Sequence, residues 1–131
     1  MERAFFLPLL FLAIGFASPP VQAAEQGEQF IGHWQQIRSN AGKCDRCSLV
    51  IARGGSGLTI GANNGWSASA YHVEAGRPVH GYGFWSKSSN SLSDTRFQAS
   101  FSMIDDRLHM EMNGIDRDGK SRSIRAIYER R

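Results

Sequence analysis

The sequence predicts an all-β protein: a single small antiparallel up-and-down β-barrel of about eight strands. Three observations predict it. Apolar and polar residues alternate with period 2 in short runs. Gly, Asn, Asp and Ser separate these runs at short intervals. After the first two dozen residues, no stretch has the spacing of an amphipathic helix.

The first strand is expected over residues 30–38, with Phe30, Gly32 and Trp34 on one face. A polar loop, 39–46, carries Asn40, Gly42 and the first cysteine. Leu49 and Ile51 share a face in the second strand, 48–53. The Gly-rich residues 54–57 turn the chain into a third strand, 58–62. Asn63-Asn64-Gly65 is a hairpin signal. A fourth strand over 66–74 sets Trp66, Ala68 and Ala70 against Ser67, Ser69, Tyr71 and Val73. Residues 75–78 turn into a fifth, 79–86. There Gly81, Gly83 and Trp85 alternate with His80, Tyr82 and Phe84. A Ser-rich loop, 87–94, leads to the most regular run, Phe97, Ala99, Phe101 and Met103, with Gln98, Ser100 and Ser102 opposite. Asp105-Asp106 turns into Leu108, Met110 and Met112. Residues 113–120 read as a loop and 121–128 as the last strand, with Ile124, Ala126 and Tyr128 on one face. A consecutive meander of this size can close on itself and lose its exposed edges, which favours a barrel over a sandwich. The small residues Ala68, Ala70, Gly81 and Gly83 are expected to leave room inside if they face inward.

The first residues have the pattern of a secretory leader. Arg3 precedes an apolar run over 4–16, and Val21-Gln22-Ala23 presents small residues where a signal peptidase reads. The expectation is a signal peptide over 1–23 and a barrel domain over 24–131, exported to a periplasm or secreted. The apolar run is shorter than the ~20 residues of a membrane span, so none is expected after cleavage. The formal charge is +3, with Lys120, Arg122, Arg125, Arg130 and Arg131 crowded near the end. No Lys/Arg run is dense enough for a nucleic-acid tail. A solvated charged edge is expected, or else salt-sensitive binding to an anionic envelope surface.

The two cysteines, Cys44 and Cys47, form a C-x-x-C pair. Export favours a disulfide. A thiol-redox centre would place the first cysteine at a helix N-terminus, and none is expected here. A zinc site would need two further ligands, and the histidines are scattered singly on expected strands. Attached haem needs His where Ser48 stands. Asp116-x-Asp118-Gly119 hints at calcium but lacks the remaining oxygen ligands of a binding loop, so it reads as a turn. No catalytic set, metal site or cofactor is expected.

Gly32-x-Trp34 at the start of a small exported barrel resembles the calycin group, which includes lipocalins, avidins and certain bacterial protease inhibitors. In lipocalins the Trp closes one barrel end beneath an Arg from the last strand. The resemblance implies that Trp34 closes an end here, with Arg125 or Arg130 over it. Residues 58–62, the strand leading to Tyr71, and residues 115–120 are similar to avidins. That likeness places Gln36 and Tyr71 at ligand-contacting positions, although the Trp walls of avidins do not reappear. Read from the residues alone, Trp66, Tyr71, Tyr82, Phe84 and Trp85 are most able to line an apolar pocket. The expected function is an exported, non-enzymatic binding protein for a small apolar molecule or a secreted protein target. The expected ligand contacts are Gln36, Tyr71, Tyr82 and Trp85. Two alternatives stand beside it: an inhibitor of a secreted hydrolase acting through residues 24–29, and a thiol-disulfide protein using Cys44 and Cys47.

Overall fold

A computed structural model describes residues 15–16, 27–71, 73–86 and 91–131. Apart from Gly15 and Phe16, the expected leader lies outside the described residues, as do His72 and residues 24–26 of the expected inhibitory segment. Eight antiparallel strands follow one another round a closed barrel: β1 (Gly32–Ser39), β2 (Ser48–Gly54), β3 (Gly57–Ala62), β4 (Trp66–Ala70), β5 (Val79–Trp85), β6 (Arg96–Ile104), β7 (Arg107–Ile115) and β8 (Ser121–Arg130). Each pairs with the next, and β8 pairs with β1. The only helix among the described residues is a single 3-10 turn, Glu28–Phe30, so no described helix is long and apolar enough to cross a membrane.

The period-2 pattern dictates which side chains face inward. Leu49 and Ile51, Leu58 and Ile60, Phe97, Ala99 and Phe101, then Leu108, Met110 and Met112 are all buried in one core. Several expected boundaries shift, among them residues 113–115, expected to open a loop but paired with β8 as the end of β7. Phe30 stands in the 3-10 turn rather than in β1, where it is 1% exposed against the core. The fourth strand ends at Ala70, not at residue 74. Leu58 and Gly81 are the last partners of Ala70, and β3 begins at Gly57, so Tyr71 has no ladder to continue.

One end of the barrel is closed by Trp34. Its side chain is fully buried, and its Nε1 donates to the Phe30 carbonyl at 2.9 Å. The guanidinium of Arg130 lies over the indole, 4.2 Å from the ring centroid. Its Nη1 donates to the Ile31 carbonyl at 2.8 Å, and its Nη2 to the Gln29 carbonyl at 2.7 Å. Such a stacked cation is worth ~0.5–2 kcal/mol depending on its desolvation. The arrangement also explains Gly32. Its φ is +144°, and a Cβ there would stand 2.6 Å from Arg130 Nη1. Glycine therefore leaves the passage through which the guanidinium reaches the chain entering β1.

Of the two arginines considered for this position, the structure places Arg130 there and Arg125 elsewhere. Arg125 sits outside the barrel, where its backbone N–H donates to Asn40 Oδ1 at 2.8 Å. Arg130 has the parity of the inward residues Ile124, Ala126 and Tyr128, whereas Arg125 has the opposite parity.

Candidate functional site: the open end of the barrel

The opposite end is open. A cavity of about 390 Å³ enters the lumen there, lined by Trp66, Trp85, Met110, Met112, Ile124 and Tyr128. Ligand pockets run from about 300 to 1,000 Å³, so this one suits a small molecule. The aromatic wall rests on an inward Phe97. Its ring meets Trp66 edge-on at 5.7 Å and Trp85 at 6.3 Å between centroids. The space that Gly83 leaves is taken by this ring, since a Cβ on Gly83 would overlap both Phe97 and the Ser67 carbonyl. The inward glycine thus positions an aromatic floor rather than leaving a hole.

Polar side chains stand among these apolar walls, Gln36, Ser39, Asn64 and Tyr128 among them. Gln36 and Tyr128 are directly opposite each other across the β1–β8 seam, and both line the cavity. Neither side chain has a hydrogen-bond partner among the described residues, and no buried polar atom is sealed without one, so both polar ends open on the cavity. Burial pushes the Tyr128 hydroxyl up from its ordinary pKa, which keeps it a neutral donor and acceptor. A register shift between Gln36 and Arg38 shapes the same wall. Because of this bulge, Ser39 faces the cavity while Ile37 and Arg38 turn outward.

The loop between β1 and β2 forms the rim. Ala41, Gly42, Lys43 and both cysteines line the cavity. Cys44 and Cys47 are joined as a disulfide, with Cα atoms 5.4 Å apart. The pair stands in this loop and at no helix N-terminus. Amide side chains pin the loop at both ends. Asn40 Nδ2 donates to the Ser123 carbonyl at 3.2 Å. Gln35 Nε2 donates to the Asp45 and Cys47 carbonyls, each at 3.0 Å, and Asn63 Nδ2 to the Arg46 carbonyl at 2.7 Å. Among the described residues, Lys43 is the only charged one lining the cavity. It is highly exposed and lies 3.8 Å from Asp45.

Of the four residues expected to contact a ligand, Gln36 and Trp85 meet in this cavity. Tyr71 is 57% exposed just past β4 at the closed end, and Tyr82 is 68% exposed on the outer wall of β5. Tyr82 alternates with the inward Gly81, Gly83 and Trp85, so it must point out once they point in. Trp66, Met110, Met112 and Tyr128 join the site. Their signal in the sequence is parity: each shares a face with the apolar set of its strand.

The loop after β7 is organised by one carboxylate. Asp116 accepts from the backbone N–H groups of Asp118 and Lys120, both at 2.9 Å, and from Arg122 Nε at 2.7 Å. Its side chain is fully buried by these partners. The Arg122 side chain, then the Lys120 N–H, hold its carboxyl below the ordinary value against the opposing effect of burial. Since the folded state holds this proton less tightly, the stabilisation is complete above the unfolded value of about 3.9 and is lost as pH falls through the lower folded value. Asp116→Asn is therefore expected to melt lower than the parent at pH 7, with the gap narrowing below pH ~4. Thermal melts from pH 7 to pH 2 check this, and a gap that stays constant would refute it.

The chain is thus a small eight-stranded antiparallel barrel, closed at one end by an arginine-capped tryptophan and open at the other on a cavity of mixed apolar and polar lining. No protein-family model, curated protein or solved structure matches it.

Proposed function

We propose that this protein is an exported, calycin-like carrier that holds one small, mostly apolar molecule in the open end of its barrel and performs no chemistry on it. The observation that carries the reading is the facing pair of Gln36 and Tyr128, two polar side chains without a partner among the described residues, in a cavity whose walls include Trp66, Trp85, Met110 and Met112. A few placed polar groups in an apolar concavity orient a ligand, while the walls supply affinity. The ligand implied is a compact ring system with a neutral donor–acceptor group at one end. The disulfide at the rim suits an oxidising compartment, in keeping with the leader-like start of the sequence.

Native mass spectrometry of protein purified from an exporting host tests the reading. The expected result is a discrete extra mass that leaves on denaturation. Trp85→Ala is expected to abolish its retention. Tyr128→Phe and Gln36→Leu are each expected to weaken it by ~2- to 12-fold, the worth of one neutral hydrogen bond. A bare chain that takes up no mass from a panel of apolar ring compounds would overturn the proposal. Inhibition of secreted hydrolases would then be screened instead.

A further inference from the structure

The outer wall carries a second feature that the lumen does not use. Two shallow grooves, of about 650 and 550 Å³, flank Tyr82 and share it together with Arg96. The strand register explains them. On the outward face Ser69 stands opposite Tyr82, Tyr82 opposite Gln98, and Gln98 opposite Asn113. In the adjoining row Ser67 faces Phe84, and Phe84 faces Arg96. The small serines of β4 leave the ring of Tyr82 standing clear as a wall, 68% exposed, beside Phe84 at 45%. Strands lie ~4.8 Å apart, so the row from Ser69 to Asn113 spans about 14 Å of arc.

The chemistry of this surface is narrow. It offers hydroxyls, carboxamides, two exposed aromatic faces and two guanidiniums, of which that of Arg122 is held by Asp116 while that of Arg96 is not engaged among the described residues. No carboxylate lines either groove, and none among the described residues pairs with Arg96. Because the barrel is closed, the backbone here has no free edge, and a peptide cannot be held by strand addition. Side chains must supply every contact. Gln98 and Asn113 each present a donor pair and an acceptor, which match a dense array of hydroxyls. An exposed aromatic ring matches the C–H face of a pyranose. An unpaired guanidinium matches a carboxylate, which it can grip with two parallel hydrogen bonds.

We propose that the β4–β7 outer wall binds an oligosaccharide carrying a carboxylate, with a sugar ring stacked on Tyr82 and its acid group on Arg96. This site is separate from the lumen and does not rest on the carrier reading. Titration calorimetry with a hexamer of galacturonic acid, with a neutral cellulose hexamer as control, tests it on the purified protein. The acidic hexamer is expected to bind at least tenfold more tightly than the neutral one. Tyr82→Ala is expected to weaken it at least tenfold, and Arg96→Gln to remove the preference for the acid. Both outer-wall variants replace exposed side chains, so their melting temperatures should match the parent. Absence of binding, equal binding of the neutral hexamer, or binding indifferent to Tyr82→Ala would each overturn the proposal.

Discussion

Replacing Trp34 with Ala is expected to cost the barrel about 3–5 kcal/mol, the usual loss for truncating a large buried aromatic. The side chain is fully buried, so nothing in the substituted protein replaces its contacts. The loss extends to groups that depend on it. Arg130 would lie over a void, and the Phe30 carbonyl would lose the donor that now reaches it. A domain of this size is stable by ~5–15 kcal/mol, so the variant should sit close to the edge of folding. Trp34→Phe keeps most of the apolar volume but not the indole N–H, and should lose much less. Urea titrations of the three proteins measure this. A loss below ~1 kcal/mol for the alanine variant would mean that the closed end is held by something other than this plug.

Gly83→Ala is expected to destabilise by about 1–3 kcal/mol or more, although it adds a single methyl group. That methyl would overlap the Phe97 ring on one side and the Ser67 carbonyl on the other. The ring is already packed against Trp66 and Trp85 and has little room to withdraw. The carbonyl belongs to the paired β4–β5 ladder and cannot move without loosening it. Gly61→Ala is the control. A Cβ at that position meets nothing within 4 Å, so its effect should stay within ~0.5 kcal/mol of zero. Thermal melts of both variants read the difference. Equal behaviour of the two would show that Phe97 does not depend on the glycine. Because Phe97 supports the aromatic wall, a Gly83→Ala protein that still folds should also hold its lumen ligand less well.

Strands and turns were largely legible in the sequence because alternation is a local property. Phe97 to Met103, then Leu108 to Met112, announce their inner faces directly, and Asn63-Asn64-Gly65 and Asp105-Asp106 mark their hairpins. Less legible was which face of β5 looks inward. Alternation groups Tyr82 with Phe84 and Gly83 with Trp85, and residue size favours placing the aromatic pair inside. The structure turns the glycines inward, and β6 delivers Phe97 into the space that Gly83 leaves. That contact lies between strands, and no window on one strand contains it. The same holds at Ile37. The bulge that turns Ser39 toward the cavity is a mismatch between β1 and β8, so neither sequence shows it alone. Alternation groups Tyr128 with Ile124 and Ala126, but its meeting with Gln36 depends on that same seam. The resemblance carried by Gly32 and Trp34 pointed to an arginine cap, and parity along β8 selects Arg130 over Arg125.

The seam between first and last strands also governs how the molecule must assemble. Seven of the eight strand pairings join neighbours in the chain and can form as successive hairpins. The eighth cannot: Arg130 reaches the carbonyl of Ile31 across 99 positions. Closing so long a loop has an entropic cost that its contacts offset only after the ring is complete. Folds dominated by distant pairings accordingly reach their native state slowly, in milliseconds to seconds rather than microseconds. Before closure, an open seven-hairpin sheet would present β1 and β8 as free edges, each able to pair with another chain. The arginine clasp over Trp34 is then a latch as well as a lid. It forms only when the two ends of the meander meet, and the same event removes the edges through which unfinished barrels would aggregate.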